Sequence, residues 1–196
     1  MGKIFCIIGK SSSGKDTIYK KLLAYHELHL KRIVLYTTRP IRFGEQEGIE
    51  YHFTTIDKLE KFKEEHKVIE CCSYQTVYGE WHYFMAQDSQ IDLEKYDYIV
   101  IGTLESYTKI RDYFGENKVL PIYIMLEDGE RLGRALKREK KQKEPKYEEM
   151  CRRFLADSRD FSKEKLAYAG IDRSFYNGNL KDCLKEVVAY IRSFQQ

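Results

Sequence analysis

The chain has 196 residues, 34 basic and 31 acidic, so its net charge is only +3. This length predicts one domain with a buried core, and so small a charge excess gives no reason to expect a nucleic-acid or membrane partner. An odd number of cysteines, 5, without a C-x-x-C pair favours a reducing compartment over a disulfide framework. The apolar run from Ile4 to Ile8 is too short for a membrane span or for most signal peptides. We therefore expect a cytoplasmic protein.

Apolar segments of strand length alternate with charged segments of helix length along the chain. The predicted strands, in order, are residues 3–9, 32–38, 97–103, 119–126 and 172–177. The predicted helices are residues 16–25, 56–66, 104–114, 129–141, 146–169 and 180–194. Such alternation predicts an α/β fold in which a parallel sheet carries helices on both faces.

Two segments interrupt this alternation and are rich in polar and aromatic side chains, residues 36–53 and residues 70–84. Both predict a small lobe over the sheet. We expect a single domain, residues 1–196, whose parts are a core (about 1–35, 96–130 and 165–196), a lobe (about 36–90) and a helical lid (about 131–155).

A phosphate-binding motif follows the first predicted strand directly: residues 9–17 read Gly-Lys-Ser-Ser-Ser-Gly-Lys-Asp-Thr. Gly9 and Gly14 allow a tight turn that aims backbone N–H groups and a helix N-terminus at phosphate oxygens, while Lys15 reaches the outer phosphates. This P-loop pattern predicts an ATP site; a Gly/Ser turn without a ligand is the alternative. The predicted ATP-binding residues here are Gly9, Ser11, Ser12, Ser13, Gly14, Lys15, Asp16 and Thr17.

Asp16 stands where Ser or Thr usually gives a hydroxyl to magnesium. Its carboxylate could hold Mg²⁺ directly, could repel the phosphates, or could stabilise the start of the helix through the helix dipole. These alternatives stay open at this point. Asp16 is the candidate metal ligand, and Mg²⁺ with ATP is the expected cofactor.

A second phosphate site is predicted from residues 38–45, Thr-Arg-Pro-Ile-Arg-Phe-Gly-Glu, which are followed by Gly48, Tyr51 and Phe53. Two guanidinium groups bind a phosphate through paired charge-assisted hydrogen bonds, and a tyrosine hydroxyl adds a third. Arg39, Arg42 and Tyr51 are therefore a candidate phosphate clamp that Glu45 organises. A surface loop with exposed arginines is the alternative.

This spacing resembles the T-R-x-P-R-x-G-E-x-x-G-x-x-Y-x-F motif of the guanylate kinase family, although Pro40 stands one residue early. The resemblance runs from residue 3 to about 194. It implies transfer of the ATP γ-phosphoryl group to GMP or dGMP, giving ADP and a nucleoside diphosphate, and a glutamate that reads the N1–H and amine donors of guanine. The acceptor-binding residues it implies are Thr38, Arg39, Arg42, Glu45, Tyr51, Glu70, Tyr78, Glu80 and Thr103.

Three positions depart from the family pattern. Glu80 replaces a Ser or Thr, while Ile101 and Thr103 replace two aspartates near the metal and the acceptor. Asp16 could compensate for one lost carboxylate. The departures leave two alternatives: a related kinase with another acceptor, such as a different nucleotide or a ribose bisphosphate, or a catalytically weak guanylate-kinase-like binding module.

Basic residues cluster between positions 131 and 153, where the resemblance implies a lid that brings arginines over the transferring phosphoryl group. It implies that Asn177 meets the adenine, although Asn177-Gly178 is also an ordinary turn signal. Exposed helix charge is the alternative for Arg138 and Arg153. The expected partners are ATP and a nucleoside monophosphate, in a monomer or a homodimer. The predicted catalytic residues are Lys15, Arg42, Arg134, Arg138 and Arg153.

Overall fold

The structure of the chain is a computed structural model that describes residues 1–42, 44–76 and 79–195. Strands and helices alternate through most of this length. In chain order they are β1 (Ile4–Ile8), α1 (Lys15–Ala24), β2 (Lys31–Arg32), β3 (Tyr36–Thr37), β4 (His52–Phe53), α2 (Ile56–Glu64), β5 (Val68–Thr76), β6 (Gly79–Ala86), β7 (Tyr98–Ile101), α3 (Leu104–Phe114), β8 (Val119–Met125), α4 (Asp128–Glu139), α5 (Tyr147–Asp160), α6 (Lys163–Tyr168), β9 (Ser174–Tyr176) and α7 (Leu180–Arg192).

A parallel sheet forms the centre of the molecule, and within the described residues its strand order is β2-β7-β1-β8-β9. Because strand side chains point alternately to opposite faces, Ile4, Cys6 and Ile8 pack with residues of α3. Phe5 and Ile7 pack with α1 and α7 on the other face. The predicted α/β fold, with helices on both faces of a parallel sheet, is confirmed.

A smaller mixed sheet lies beside the first, with the order β4-β3-β6-β5 in the described part of the chain. β6 is antiparallel to both β3 and β5, whereas β3 and β4 are parallel. Leu59 and Phe62 of α2 pack against Phe84 on one face of this sheet. The opposite face carries Tyr74, Trp81 and Tyr83, since these residues alternate with the ones that face α2.

The predicted single strand over residues 32–38 is wrong, because the segment is divided between the two sheets. β2 pairs with β7 in the parallel sheet, and β3 pairs with β4 and β6 in the smaller one. Between them the side chain of Gln90 bonds both the N–H of Val34 (2.8 Å) and its carbonyl (3.2 Å). These bonds replace a strand ladder, so the chain can leave one sheet and enter the other.

The segment after Glu70 belongs to strand β5, which pairs with β6. One further expectation needs correction. The predicted helix over 146–169 is two helices, because α5 ends at Asp160 and the hydroxyl of Ser162 caps the start of α6 by accepting from the Lys165 N–H. Phe161, at the break, stacks on Tyr123 with a centroid distance of 5.7 Å. Through the described residues, no helix has the length and apolar character needed to cross a membrane.

Candidate active site

The phosphate loop, residues 9–15, connects the carboxyl end of β1 to α1. Gly9 and Gly14 have positive φ angles of 155° and 91°. A Cβ atom on Gly9 would lie 2.5 Å from the Ile124 carbonyl oxygen, and one on Gly14 would collide with the Asn177 side chain. The loop therefore packs tightly against the ends of β8 and β9, and only glycine fits at these two positions.

Asn177 follows β9 and is buried, with 3% of its surface exposed. Its side-chain amide donates to the Ser13 carbonyl at 2.7 Å, and the backbone carbonyl of Asn177 accepts from the Arg134 guanidinium at 3.0 Å. Asn177 thus joins the phosphate loop to α4. The adenine contact stays a prediction; the contact present in the structure is one that shapes the loop.

The hydroxyls of Ser12 and Ser13 are buried, and neither has a hydrogen-bond partner among the residues that the structure describes. Ser12 also adopts a left-handed φ of 63°, which a non-glycine residue rarely does. Buried polar groups without partners are uncommon in proteins. A phosphate oxygen is a partner of suitable chemistry for both hydroxyls.

Lys15 begins α1, and its ammonium nitrogen lies 3.8 Å from an Asp16 carboxylate oxygen. The Lys15 side chain is 19% exposed, whereas that of Asp16 is 77% exposed. Asp16 therefore faces solvent beside the lysine. Its carboxylate lies in the first turn of α1, where the helix dipole also stabilises negative charge.

Three of the predicted catalytic arginines meet at one cavity of about 320 Å³. Arg42, Arg138 and Arg153 line it together with Ser11 and Ser12 of the phosphate loop. The Arg153 guanidinium donates to the Ser11 hydroxyl at 3.3 Å. Residues more than 100 positions apart are therefore brought to the same space, which lies at the phosphate loop. Basic side chains outnumber acidic ones around it, the acidic ones being Glu139 and Glu149.

Two residues outside the predicted site also contact the phosphate loop. Arg131 donates to the Ser11 carbonyl at 2.9 Å, and the Asp157 carboxylate accepts from the Ser11 N–H at 2.7 Å. Arg131 also lies 2.8 Å from Asp128, and this contact is the main reason that the pKa of Asp128 is lowered. The helical spacing from Arg131 to the buried Ala135 gives a signal that Arg131 faces inward. Asp157 has no such signal, because it is one acid among many in α5.

The predicted phosphate clamp is organised around Arg39, which is only 3% exposed. Its guanidinium forms a two-pronged ion pair with Glu45 at 2.6 and 2.7 Å, and Glu45 also accepts from the Arg42 N–H at 2.8 Å. The bond to Arg39 lowers the pKa of Glu45, and the same bond raises that of Arg39. The Arg39 Nε is buried without a partner among the described residues.

Aromatic rings surround the clamp. The Arg39 guanidinium lies 5.0 Å from the centre of the Tyr51 ring and 5.4 Å from that of Phe53. Tyr51 in turn contacts Tyr83 edge-to-face at 5.5 Å, and burial raises the pKa of Tyr51. These contacts add to the Glu45 ion pair in holding Arg39, since cations are attracted to the faces of aromatic rings.

Glu70 and Thr103 are connected through a third residue, Ser106. The Thr103 hydroxyl donates to the Ser106 hydroxyl at 3.1 Å, and that hydroxyl donates to the Glu70 carboxylate at 3.2 Å. Glu70 is 4% exposed, and burial raises its pKa. Thr103 also caps α3 by accepting from the Ser106 N–H. The structure thus brings these two predicted acceptor residues together, although they are far apart in the sequence.

Other predicted acceptor residues are placed differently. Glu80 lies opposite Gln75 and 3.9 Å from His82, on the α2 side of the small sheet, so strand alternation places it on the face opposite to Glu70. The prediction that Glu80 joins the acceptor site does not fit this arrangement. The Thr38 hydroxyl accepts from the His82 N–H at 2.9 Å and is used in joining strands. Tyr78 lies outside the described residues.

The fold and this site define the class: a P-loop α/β protein with a buried Arg39–Glu45 ion pair next to an attached small sheet. A family model for guanylate kinase matches residues 1–193. The chain belongs to the guanylate kinase family.

Individual relatives agree with this assignment. The chain is 26% identical to a guanylate kinase from Porphyromonas gingivalis over 99% of its length and 98% of the relative's. It is 32% identical to the guanylate kinase of Neisseria meningitidis serogroup A, but that match spans 59% of the chain and only 55% of the relative. A crystal structure of guanylate kinase from Anaplasma phagocytophilum matches 100% of this chain and 87% of its own, with a TM-score of 0.66 and 20% identity. The two proteins therefore share a fold.

Proposed function

We propose that the chain transfers the γ-phosphoryl group of ATP to GMP or dGMP, with Mg²⁺ accompanying ATP. The observation that carries this proposal is the cavity where Arg42, Arg138 and Arg153 face the phosphate loop. A pocket that combines a P-loop with these guanidinium groups and that of Arg131 suits phosphoryl transfer, in which positioning and charge stabilisation supply most of the catalysis.

The phosphate loop would hold the ATP phosphates. The hydroxyls of Ser12 and Ser13, which have no partner among the described residues, would donate to phosphate oxygens, and Lys15 would reach the outer phosphates. The arginines at the cavity would stabilise the charge of the transferring group, and their closure around it would exclude water. Arg134 lies beside Gly14 and would act from the α4 side of the loop.

The small sheet, with β3–β6, would form the acceptor lobe, while α4 and α5 would form the lid. Arg39 would bind the acceptor phosphate through its buried Nε, and Tyr51 and Arg42 would complete the clamp. Glu70, oriented by Ser106, would accept from the N1–H and amine of guanine. Location in the cytoplasm and assembly as a monomer or a homodimer stay predictions.

The residues at the start of α1 fit magnesium. Asp16 presents an exposed carboxylate beside Lys15, and Mg²⁺ accepts one or two carboxylates together with phosphate oxygens and water. Asp16 would hold the ion, which when bound neutralises phosphate charge during transfer. β7 ends at Ile101, where the family has an aspartate, and it lies beside β1. The end of β7 and the loop that leads from β1 to Asp16 are therefore at the same edge of the sheet.

The test is ATP consumption with Mg²⁺ over a panel of GMP, dGMP, AMP, CMP, UMP and ribose 1,5-bisphosphate, with products separated by chromatography. We expect GDP or dGDP as the dominant product. Lys15→Ala should abolish transfer with the fold intact, whereas Lys20→Ala, on the exposed side of α1, should retain it. Turnover of a different acceptor would contradict the guanine assignment. Nucleotide binding without turnover of any acceptor would favour a binding module.

A further inference from the structure

Ser11, the third residue of the phosphate loop, is held at three atoms by α4 and α5. Its N–H donates to Asp157 at 2.7 Å, its carbonyl accepts from Arg131 at 2.9 Å, and its hydroxyl accepts from Arg153 at 3.3 Å. The backbone N–H and carbonyl of one residue are therefore fixed by side chains more than 100 positions away. The conformation of the loop depends on the position of these two helices.

Arg131 and Asp157 form a buried ion pair at 3.3 Å. The Arg131 side chain is 1% exposed and that of Asp157 is 16% exposed. The Arg131 guanidinium also lies 4.7 Å from the centre of the Phe154 ring. Burial of a charge is costly unless it is paired and hydrogen-bonded. Because both members of the pair also bond Ser11, the buried charges are arranged around the phosphate loop.

The position of Asp157 raises an electrostatic problem for a loop that binds phosphates. A carboxylate that accepts from a loop N–H brings negative charge close to the triphosphate, and like charges repel strongly where solvent is partly excluded. Arg131 lies against the same carboxylate and the same loop residue. Its positive charge, which it shares with Asp128 at 2.8 Å, reduces that repulsion, while its hydrogen bond holds the Ser11 carbonyl.

We propose that Arg131 and Asp157 are positioning residues for the phosphate loop. Asp157 fixes the Ser11 N–H, and Arg131 fixes the Ser11 carbonyl and neutralises the Asp157 carboxylate, so that the following peptides up to Lys15 are held ready for the triphosphate. This inference rests on the proposed use of ATP at this loop. It adds two residues that act through Ser11, one of which, Arg131, also lines the cavity at the phosphate loop.

The two residues then have unequal effects on ATP binding. Arg131→Met leaves the Asp157 carboxylate uncompensated and should raise the Kd for ATP by about 10- to 100-fold, the range for losing a hydrogen bond to a charged group. Asp157→Asn keeps an oxygen for the Ser11 N–H and removes the charge, so the Kd should change by less than about threefold. The double variant should recover part of the affinity that Arg131→Met loses, because the Asp157 charge is gone while the bond to the Ser11 carbonyl stays absent.

The experiment measures ATP binding by calorimetry in the full chain without acceptor, together with urea unfolding of each variant. Arg152→Met is the matched control, because Arg152 is exposed and pairs with Glu149 on α5. If Arg131→Met does not fold, Arg131→Gln replaces it with the same expectation. A Kd within about twofold of wild type for the Arg131 variant, or no recovery in the double variant, would overturn the proposal. Lower stability alone would not produce these differences in the Kd for ATP between the two single variants and the double variant, because the Kd is that of the folded molecules.

The measurement separates the two proposals. A wild-type chain that binds ATP but leaves GMP unphosphorylated contradicts the proposed function, and the variants at Arg131 and Asp157 still decide the inference. A wild-type chain that binds no ATP contradicts both.

Discussion

Glu45→Gln removes the carboxylate that holds the buried guanidinium of Arg39. In the wild-type chain this carboxylate accepts two hydrogen bonds from Arg39, at 2.6 and 2.7 Å, and one from the Arg42 N–H at 2.8 Å. Glutamine has nearly the same shape but only one acceptor oxygen and no charge. Arg39 would then be a buried cation whose pairing depends mainly on the rings of Tyr51 and Phe53.

The expected loss of stability follows from this burial. Removal of one partner from a buried ion pair costs about 3 to 5 kcal/mol, and a hydrogen bond to a charged group contributes about 1.5 to 3 kcal/mol. Because the Glu45 side chain is 18% exposed and glutamine keeps one acceptor, we expect the free energy of unfolding to fall by about 2 to 3 kcal/mol. Release of Arg39 should also raise the KM for GMP by at least about tenfold.

The loss should depend on pH. The bond to Arg39 holds the pKa of Glu45 below its ordinary value of about 4.3. A carboxyl whose pKa is lower in the folded state adds stability above its unfolded pKa, and this stability is lost as the pH falls through the folded pKa. The difference in unfolding free energy between wild type and Glu45→Gln should therefore be complete at pH 7 and shrink below about pH 4.

The assay is urea unfolding followed by fluorescence of Trp81, the only tryptophan in the chain, which lies near Arg42. Glu50→Gln is the control, because Glu50 is exposed in the same loop and accepts one backbone N–H at 2.8 Å; its effect should stay within about 0.5 kcal/mol. Equal unfolding midpoints and equal KM values for GMP in wild type and Glu45→Gln would refute the role assigned to this pair.

Three other variants test separate parts of the site. Asn177→Ala removes the bond to the Ser13 carbonyl, so the KM for ATP should rise by about tenfold while the KM for GMP stays within about twofold, as steady-state kinetics would show. Glu70→Gln should weaken GMP binding and should also stabilise the fold at pH 7 but not at pH 4. Burial raises the Glu70 pKa, so the wild type loses stability as the pH rises. Urea unfolding at both pH values checks this. Asp16→Ser should shift the Mg²⁺ dependence of the rate, and an unchanged metal titration would exclude Asp16 as a ligand.

Much of the fold could be predicted because its signals are local. The phosphate loop is recognisable from residues 9–17 alone, since its glycines and lysine are needed for a turn within a few positions. The strand and helix alternation follows from the spacing of apolar residues, and the helix over 104–114 is present with those bounds. The pair of Arg39 and Glu45 is also local, since the two residues are only six positions apart.

The predicted strand at residues 32–38 shows what such local signals do not determine. Its apolar character correctly indicates burial, but does not indicate which sheet each half joins. Gln90, far along the chain, bonds Val34 and separates β2 from β3. The sequence also did not predict the face of the small sheet on which Glu80 lies, because that face depends on the register between β5 and β6.

By itself the sequence determined the alternation of strands and helices in the central sheet, the phosphate loop and the local pair of Arg39 with Glu45, because each depends on residues that are close along the chain. Only the tertiary structure decided which distant side chains share a space. Ser11 and Asp157 are 146 positions apart, and their hydrogen bond forms because α5 packs against the loop that follows β1. A periodic pattern shows that a residue is buried, but the identity of its partner depends on how the elements pack.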